Sequence, residues 1–332
     1  MKNIVAVVGG GFSSEYQISV QSAQEIANKI DKEKNIVFLV RITKKNWDVI
    51  LENEVIPINK ADFSFLYKNE KVVFNCVFIA IHGNPGENGV LQSYFDLLEL
   101  PYTSCNAFVS ALTFNKFYCN SVLKSFHINI AKSVVLHKPT DLSVSEIINA
   151  VGLPCFVKPN EGGSSFGTSK VKQQEELSEA IQKAFDEGDS VIIEQFISGV
   201  EVTCGIFKSK NETIIFPLTE IVSKNEFFDF EAKYTPEKVE EITPARISKE
   251  DTEKCQKYAS YIYDILNCSG LVRMDFIFSD NNFWFLEVNT VPGMTKASII
   301  PKQAAIYGLS ISELYQKMID EALLVFQKKE NC

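Results

Sequence analysis

The chain predicts an α/β protein, and three observations carry that prediction. In the first hundred residues, short apolar runs alternate with stretches of helical period, the signature of a parallel sheet with crossover helices. Two of those runs end in glycine-rich turns, Gly9-Gly10-Gly11 and His82-Gly83-Asn84-Pro85-Gly86. Near the other end, two apolar stretches with polar residues at every second position flank Ser279-Asp280-Asn281-Asn282, a turn composition that makes a hairpin. At 332 residues the chain is long for one core, so two or three domains are expected.

The pattern predicts a buried first strand over 3–8. A helix over 19–30 carries Val20, Ala23, Ile26, Ala27 and Ile30 at helical spacing. Strands are predicted over 35–42 and 72–81, and a helix follows through Leu91, Tyr94, Phe95, Leu97 and Leu98. In open parallel sheets, ligands bind at the carboxyl ends of the strands, where both glycine-rich turns lie. Residues 101–113 read as a turn-rich crossover and 114–126 as a helix. A strand over 155–158 stops at Pro159 and leads into Asn160-Glu161-Gly162-Gly163-Ser164-Ser165-Phe166-Gly167. An amphipathic helix over 175–185 and a strand over 190–196 follow. Residues 223–245 are polar, aromatic and interrupted by proline, the composition of a long surface loop of the kind that covers active sites. Helices over 252–266 and 310–326 bracket the hairpin.

The hairpin is the most specific element. Residues i and i+2 of a strand share a face, so Arg273 and Asp275 point one way, as do Glu287 and Asn289. A hairpin centred on Asn281 sets Asp275 opposite Glu287 and Arg273 opposite Asn289; a slip of one residue would drive each polar set into the apolar face. That face is expected to hold Val272, Met274, Phe276 and Phe278, with Trp284, Leu286 and Val288. Opposed carboxylates repel and call for a cation between them. Arg273 is adjacent, and a hard divalent ion such as Mg2+ suits the oxygen donors better. A solvated outer face with incidental charges is the alternative.

Composition removes several classes. The chain is 45% hydrophobic and 23% charged with net charge −9, which argues against nucleic acid or an anionic membrane as main partner. No apolar run approaches the roughly 20 residues of a membrane span, and the N-terminal run is too short for a signal sequence. The eight cysteines show no CxxC spacing, which points to free buried thiols in a reducing, cytoplasmic setting. Three histidines, at 82, 127 and 137, lack zinc spacing.

Individually the other motifs stay open. Gly9-x-Gly11 has Ser14 where a dinucleotide fingerprint needs its third glycine, and the second strand ends at Arg41 rather than an acid. Glu15 there complements a helix dipole. The small residues of 160–167 let backbone N–H groups approach phosphate oxygens, Ser164 and Ser165 add hydroxyl donors, and Lys158 supplies charge; a plain flexible loop has the same composition. Lys116, at a helix start, is unfavourable without an anion nearby, or is simply exposed. Glu194 and Glu201 fit an adenine amino group and a ribose, or a strand edge and a solvated loop.

Together these segments resemble the D-alanine–D-alanine ligases of the ATP-grasp superfamily over nearly the whole chain. The resemblance rests on Gly9-Gly10…Ser13-Ser14-Glu15, His82-Gly83…Gly86-Glu87-Asn88-Gly89, Ser110-Ala111-Leu112-Thr113…Lys116 and Val157-Lys158-Pro159…Gly163-Ser164-Ser165-Phe166-Gly167. It continues through Glu231-Ala232-Lys233-Tyr234, Arg273-Met274-Asp275 and Glu287-Val288-Asn289-Thr290-Val291-Pro292-Gly293-Met294-Thr295. Gln17, Asn88 and Asn160-Glu161-Gly162-Gly163 depart from forms common in the family, and none is an implied metal ligand.

The resemblance implies a Rossmann-like N-terminal domain over 1–104, followed by a two-lobed ATP-grasp domain of α+β type. Its central lobe would span 105–193 and its C-terminal lobe 194–332. It implies ATP-driven formation of an acyl phosphate on one D-alanine and attack by the amine of a second. Lys116, Lys158, Ser165 and Lys233 would meet ATP phosphates; Glu194, Gln195, Ile197 and Glu201 would hold adenosine. Two Mg2+ ions, or Mn2+ in their place, would sit on Asp275, Glu287 and Asn289. Arg273 and the Gly293 backbone would stabilise the oxyanion. Glu15 and His82 would hold the first D-alanine, Ser298 and Ile299 the second, and Glu15, Ser164 and Tyr234 would latch a lid. A homodimer is implied as well. Another ATP-grasp ligase, or one making an ester to a D-hydroxy acid, would keep the metal hairpin; an intact Glu-Ala-Lys-Tyr segment favours the amide. A regulatory ATP-binding module is the non-enzymatic alternative, and the retained Arg273, Asp275, Glu287 and Asn289 speak against it.

Overall fold

The computed structural model describes residues 2–223 and 239–330. The N-terminal region is built on β1 (Asn3–Gly10), α1 (Tyr16–Lys29), β2 (Asn35–Ile42), β3 (Trp47–Ile50), β4 (Val55–Pro57), β5 (Phe65–Tyr67), β6 (Glu70–Val72), β7 (Cys76–Ile79) and α2 (Val90–Leu97). Its sheet runs β4-β3-β2-β1-β7, with β1 parallel to β2 and β7. β1 is central and reads as a continuous apolar run because both faces are covered; Val5, Ala6, Val7 and Val8 are fully buried. Two expectations change here. The third predicted strand shortens to β7, and the stretch before it folds as the antiparallel edge strands β3 and β4 and the separate β5–β6 hairpin. Strands of three or four residues carry too little period to be seen.

The predicted crossover over 101–113 instead contains α3 (Ala107–Phe114). Asn106 caps it by accepting from the Val109 N–H at 2.9 Å, and Asn115 ends it and caps α4 (Lys116–Ser125) in turn. Two asparagine caps therefore place a further short helix where a crossover is expected, immediately before α4.

The central lobe comprises β8 (Ser133–Leu136), α5 (Val144–Val151), β9 (Cys155–Pro159), β10 (Ser169–Val171), α6 (Leu177–Phe185) and β11 (Val191–Gln195), with sheet order β10-β9-β11-β8. It has its own apolar core, including Leu136, Ile147, Val157, Leu177 and Ile193. The C-terminal sheet, β15-β14-β12-β16-β17, joins β12 (Val200–Lys208), β14 (Thr219–Ser223), β15 (Val239–Ile242), β16 (Gly270–Ser279) and β17 (Asn282–Asn289), with β13 (Thr213–Ile215) beside β12. Thus the stretch expected to be loop over 223–245 includes a strand. α7 (Lys249–Ile265) covers one face together with α3 and α4. α8 (Ile299–Tyr307) and α9 (Ile311–Glu330) cover the other, where Phe207, Ile300 and Leu314 share a core with Val5, Ala23 and Ile26 of the N-terminal region. That shared core fixes the N-terminal sheet relative to the hairpin. Seven cysteines are free and buried among the described residues, and no helix among them is long and apolar enough to cross a membrane.

The hairpin has the expected register at its polar end: Asp275 faces Glu287 and Arg273 faces Asn289. One residue further the pairing shifts, and Phe276 faces Phe285. Leu286 is the extra residue of a β-bulge, and parity inverts beyond it. The apolar face therefore holds Phe283 and Phe285 rather than Trp284 and Leu286, correcting the sequence expectation. Leu286 is turned toward a cavity described next.

Candidate active site

Two cavities flank the polar end of the hairpin. One, of about 530 Å3, lies between the central lobe and the C-terminal sheet. The other, of about 610 Å3, lies between the N-terminal region and the loop after β17. Lys116, Gly162, Gly163, Ser164, Arg273 and Glu287 line both. A molecule in each would meet its neighbour at this shared wall.

The wall is dense with charge. Arg273 forks onto Asp275, with Nε 2.9 Å from Oδ1 and Nη2 2.7 Å from Oδ2. The Thr203 hydroxyl donates to the same Oδ1, and Asn289 Nδ2 donates to Oδ2 at 3.2 Å. Burial alone would lower the Arg273 pKa; Asp275, Glu287 and Glu87 more than reverse this and raise it, so the guanidinium is held as a cation. Lys116, first residue of α4, donates from Nζ to the Gly162 carbonyl at 2.6 Å and lies 3.6 Å from Glu287 Oε2. The anion its position calls for is therefore present. The opposed carboxylates are each balanced, Asp275 by Arg273 and Glu287 by Lys116. Among the described residues no three His, Cys, Asp or Glu side chains converge as a metal site; the oxygen donors here are two carboxylates and an amide. Turning the Asn289 amide about its last torsion would exchange Nδ2 for Oδ1 and add a third hard oxygen beside them.

In the first cavity, Lys158 on β9 pairs with Glu194 on β11 at 2.6 Å. Burial pulls its pKa down, but Glu194, Glu287 and Glu201 outweigh that and raise it. Ser165, Gln195, Ile197 and Glu201 line the same cavity, with Phe156, Phe196 and Leu286 as apolar walls. Apolar walls, carboxylates and two lysines thus line one cavity. Ser164 and Ser165 have φ of 53° and 59°, consecutive left-handed conformations that cost a non-glycine residue energy. They turn the Ser164 hydroxyl out of its own loop to donate to Glu15 Oε1 at 2.5 Å. Gly163 permits the approach, since a Cβ there would lie 2.9 Å from the same oxygen.

The second cavity holds Glu15, His82, Gly293, Ser298 and Ile299. Glu15 precedes α1, and Ser19 and Ser22 on that helix grip the turn after β7. Ser19 accepts from the His82 N–H at 2.9 Å, and Ser22 Oγ lies 3.0 Å from His82 Nε2. His82 Nδ1 is 2.9 Å from the Val291 carbonyl, which can only accept, so Nδ1 carries the proton and Nε2 accepts from Ser22 in the neutral ring. Ser298 closes a turn by accepting from the Thr295 N–H at 3.1 Å. Lys233 and Tyr234 lie outside the described residues; all other predicted site residues line these two cavities or their shared wall. Sequence reasoning missed Thr203, whose only signal was its alternation with Glu201 on a strand. It noted Glu87 at the turn without assigning it a role. Glu87 accepts from the Gly83 N–H at 2.7 Å and the Val291 N–H at 3.3 Å, and burial together with the neighbouring Glu15 pushes its pKa up to about 8.

Comparison with known proteins shows the family. The family model described as D-ala D-ala ligase N-terminus matches residues 4–105, and that described as D-ala D-ala ligase C-terminus matches 122–320. A D-alanine–D-alanine ligase of Phocaeicola vulgatus is 49% identical over 96% of this chain and 99% of its own. The crystal structure of a VanG D-Ala:D-Ser ligase from Enterococcus faecalis superposes with TM-score 0.86 at 32% identity, covering 97% of this chain and all of that one. A D-alanine–D-alanine ligase from Bacillus anthracis, crystallised with ATP, gives 0.79 at 28%, covering 99% and 100%. With its two ends matched by the paired models and its length by full-length relatives, the chain belongs to the D-alanine–D-alanine ligase family.

Proposed function

We propose that this chain joins two D-alanine molecules to D-alanyl-D-alanine, with ATP converted to ADP and phosphate, as a cytoplasmic step of peptidoglycan precursor synthesis. The observation that supports it best is the shared wall of two cavities, where Arg273, Glu287, Lys116 and the 162–164 loop face both. A nucleotide in the first and an amino acid in the second bring a γ-phosphoryl group and a carboxylate together. The carboxylate oxygen attacks phosphorus, ADP leaves, and an acyl phosphate forms. The amine of the second D-alanine then attacks the carbonyl carbon, the oxyanion collapses, and phosphate leaves.

Each residue has a physical task. Lys116, Lys158 and Ser165 hold phosphate oxygens, with Lys233 from the loop; Glu194, Gln195, Ile197 and Glu201 hold adenosine in the slot lined by Phe156, Phe196 and Leu286. Asp275, Glu287 and Asn289, a hard oxygen set, would hold two Mg2+ ions, or Mn2+, which spread the charge of the transferring phosphoryl group when bound. Glu15 binds the ammonium of the first D-alanine beside His82. Arg273 and the Gly293 N–H stabilise the oxyanion. Ser298 and Ile299 orient the second D-alanine. Glu15, Ser164 and Tyr234 form a hydrogen-bonded latch that excludes water from the acyl phosphate. We further assign a domain division at 1–104, 105–193 and 194–332, and a homodimeric assembly.

The test is phosphate release with ATP, Mg2+ and each D-amino acid in turn. Turnover with D-alanine is expected; turnover with another amino acid and none with D-alanine overturns the reading. A sharper prediction concerns Gly163→Ala. Its Cβ would crowd the Glu15 carboxylate at 2.9 Å, so the KM for the first D-alanine should rise about tenfold, the loss expected for one charge-assisted hydrogen bond. An unchanged first-site KM would show that Glu15 does not need its present place.

A further inference from the structure

α1 touches both ends of the amino-acid cavity. Glu15 stands at its N-terminus, and Ile18, Gln21 and Glu25 follow along the side that lines the same cavity. Ten residues of helix separate Glu15 from Glu25, a rise of about 15 Å. At the far end, Glu25 Oε2 accepts from the backbone N–H of Lys296 at 2.7 Å. Lys296 lies within the turn from Thr295 to Ser298.

That turn is closed on itself: Ser298 donates its N–H to the Thr295 carbonyl at 2.8 Å, and its hydroxyl accepts from the Thr295 N–H. Residue 294, before the turn, is anchored from below. The Met294 side chain is buried in the core shared by α1, α8 and α9, and the Tyr315 hydroxyl donates to its carbonyl at 3.4 Å. Lys296 and Ala297 are exposed, and Glu25 is the side chain that ties their backbone to the N-terminal region. Beyond the buried Met294, that carboxylate is what holds the exposed part of the turn against α1.

We propose that Glu25 is a positioning residue for the second amino-acid subsite, and that α1 acts as a rigid spacer between the two subsites. This rests on the ligase reading above and deepens it. Glu15 at one end holds the ammonium of the first amino acid. Glu25 at the other holds the turn whose last residue, Ser298, orients the second. The separation between the two amino acids is therefore set by one helix of the N-terminal region rather than by the C-terminal lobe alone. A carboxylate suits the task because it accepts from a backbone N–H with charge assistance, and the same oxygen lies 4.0 Å from Lys29 Nζ.

Initial rates of phosphate release over a wide range of D-alanine, at saturating ATP and Mg2+, resolve separate KM values for the two subsites. Glu25→Ala should raise the second KM about tenfold, with the first KM and the KM for ATP within twofold of wild type. Glu25→Gln keeps one acceptor oxygen and should recover most of the loss. A merely structural role would move all three KM values together and lower the melting temperature; that result, or an unchanged second KM, overturns the inference while leaving the ligase reading intact. Wild-type protein that releases no phosphate with D-alanine overturns both.

Discussion

Asp275→Asn is expected to lower kcat by about 10³-fold, the largest effect of any single change in this chain. The carboxylate receives four donors: two from Arg273, one from the Thr203 hydroxyl and one from Asn289. An asparagine offers one oxygen and turns an NH2 group toward another donor, so at least one of these contacts becomes a repulsion. Arg273, whose side chain is 12% exposed, then loses its countercharge. Breaking one partner of such a pair costs about 3–5 kcal/mol of stability when burial is complete, and less in proportion to the exposure that remains. The same change removes a proposed oxygen ligand and frees the guanidinium from its fixed plane. Thr203→Val separates these contributions. It deletes one neutral donor and leaves the charge, so about 1 kcal/mol of stability and less than tenfold in kcat should be lost. Steady-state kinetics with chemical denaturation of both variants checks this. A kcat for Asp275→Asn within tenfold of wild type would remove Asp275 from the reacting centre.

The contrast between what the sequence reveals at Asp275 and what it hides at Leu286 is physical. Register at the polar end of the hairpin is legible because a one-residue slip would bury charge, and that penalty is written in the alternation of Arg273, Asp275, Glu287 and Asn289. Past Asp275 both faces of β17 are apolar, with Phe283, Trp284, Phe285 and Leu286 in a row. Nothing in such a run distinguishes regular pairing from a bulge, and packing against α7 and the β12–β16 face decides it. The bulge then gives the proposed nucleotide cavity one of its apolar walls. Charge, glycine turns and helix starts singled out Lys116, Lys158, Glu15 and the 160–167 loop but left each open, and the family resemblance alone gave them a shared role. Glu25 and Thr203 escaped because their partners, the Lys296 N–H and the Asp275 carboxylate, are respectively 271 and 72 residues away, and a hydrogen bond to so distant a partner leaves no local trace. α3 could have been found: Asn106 followed by an apolar stretch is an N-cap signal that the turn-like run Pro101-Tyr102-Thr103-Ser104 just before it obscured.

Glu87 should make the folded protein lose stability as pH rises from about 4.5 to about 8, opposite to an ordinary salt-bridged carboxylate. Burial and the charge of Glu15 push its pKa up to about 8, against the pull of the Gly83 and Val291 N–H groups. A folded-state pKa above the unfolded value means that the folded chain binds the proton more tightly. The associated stability is complete below about 4.5 and is lost as pH climbs through 8. After allowance for partial exposure the span is on the order of 2–3 kcal/mol. Glu87→Gln cannot titrate, so the difference between wild-type and variant denaturation midpoints should change across this window and be flat beyond it. Its amide oxygen replaces only one of the two acceptors, so the variant's absolute stability is not the readout; the pH dependence of the difference is. A difference that stays constant from pH 5 to 9 would show that Glu87 is ionised throughout. A protonated Glu87 carries no charge to compete with Glu15 for the ammonium that the proposed function places there. Burial of Glu87, rather than its place in the sequence, thus separates the two acids of this cavity in the role proposed for them.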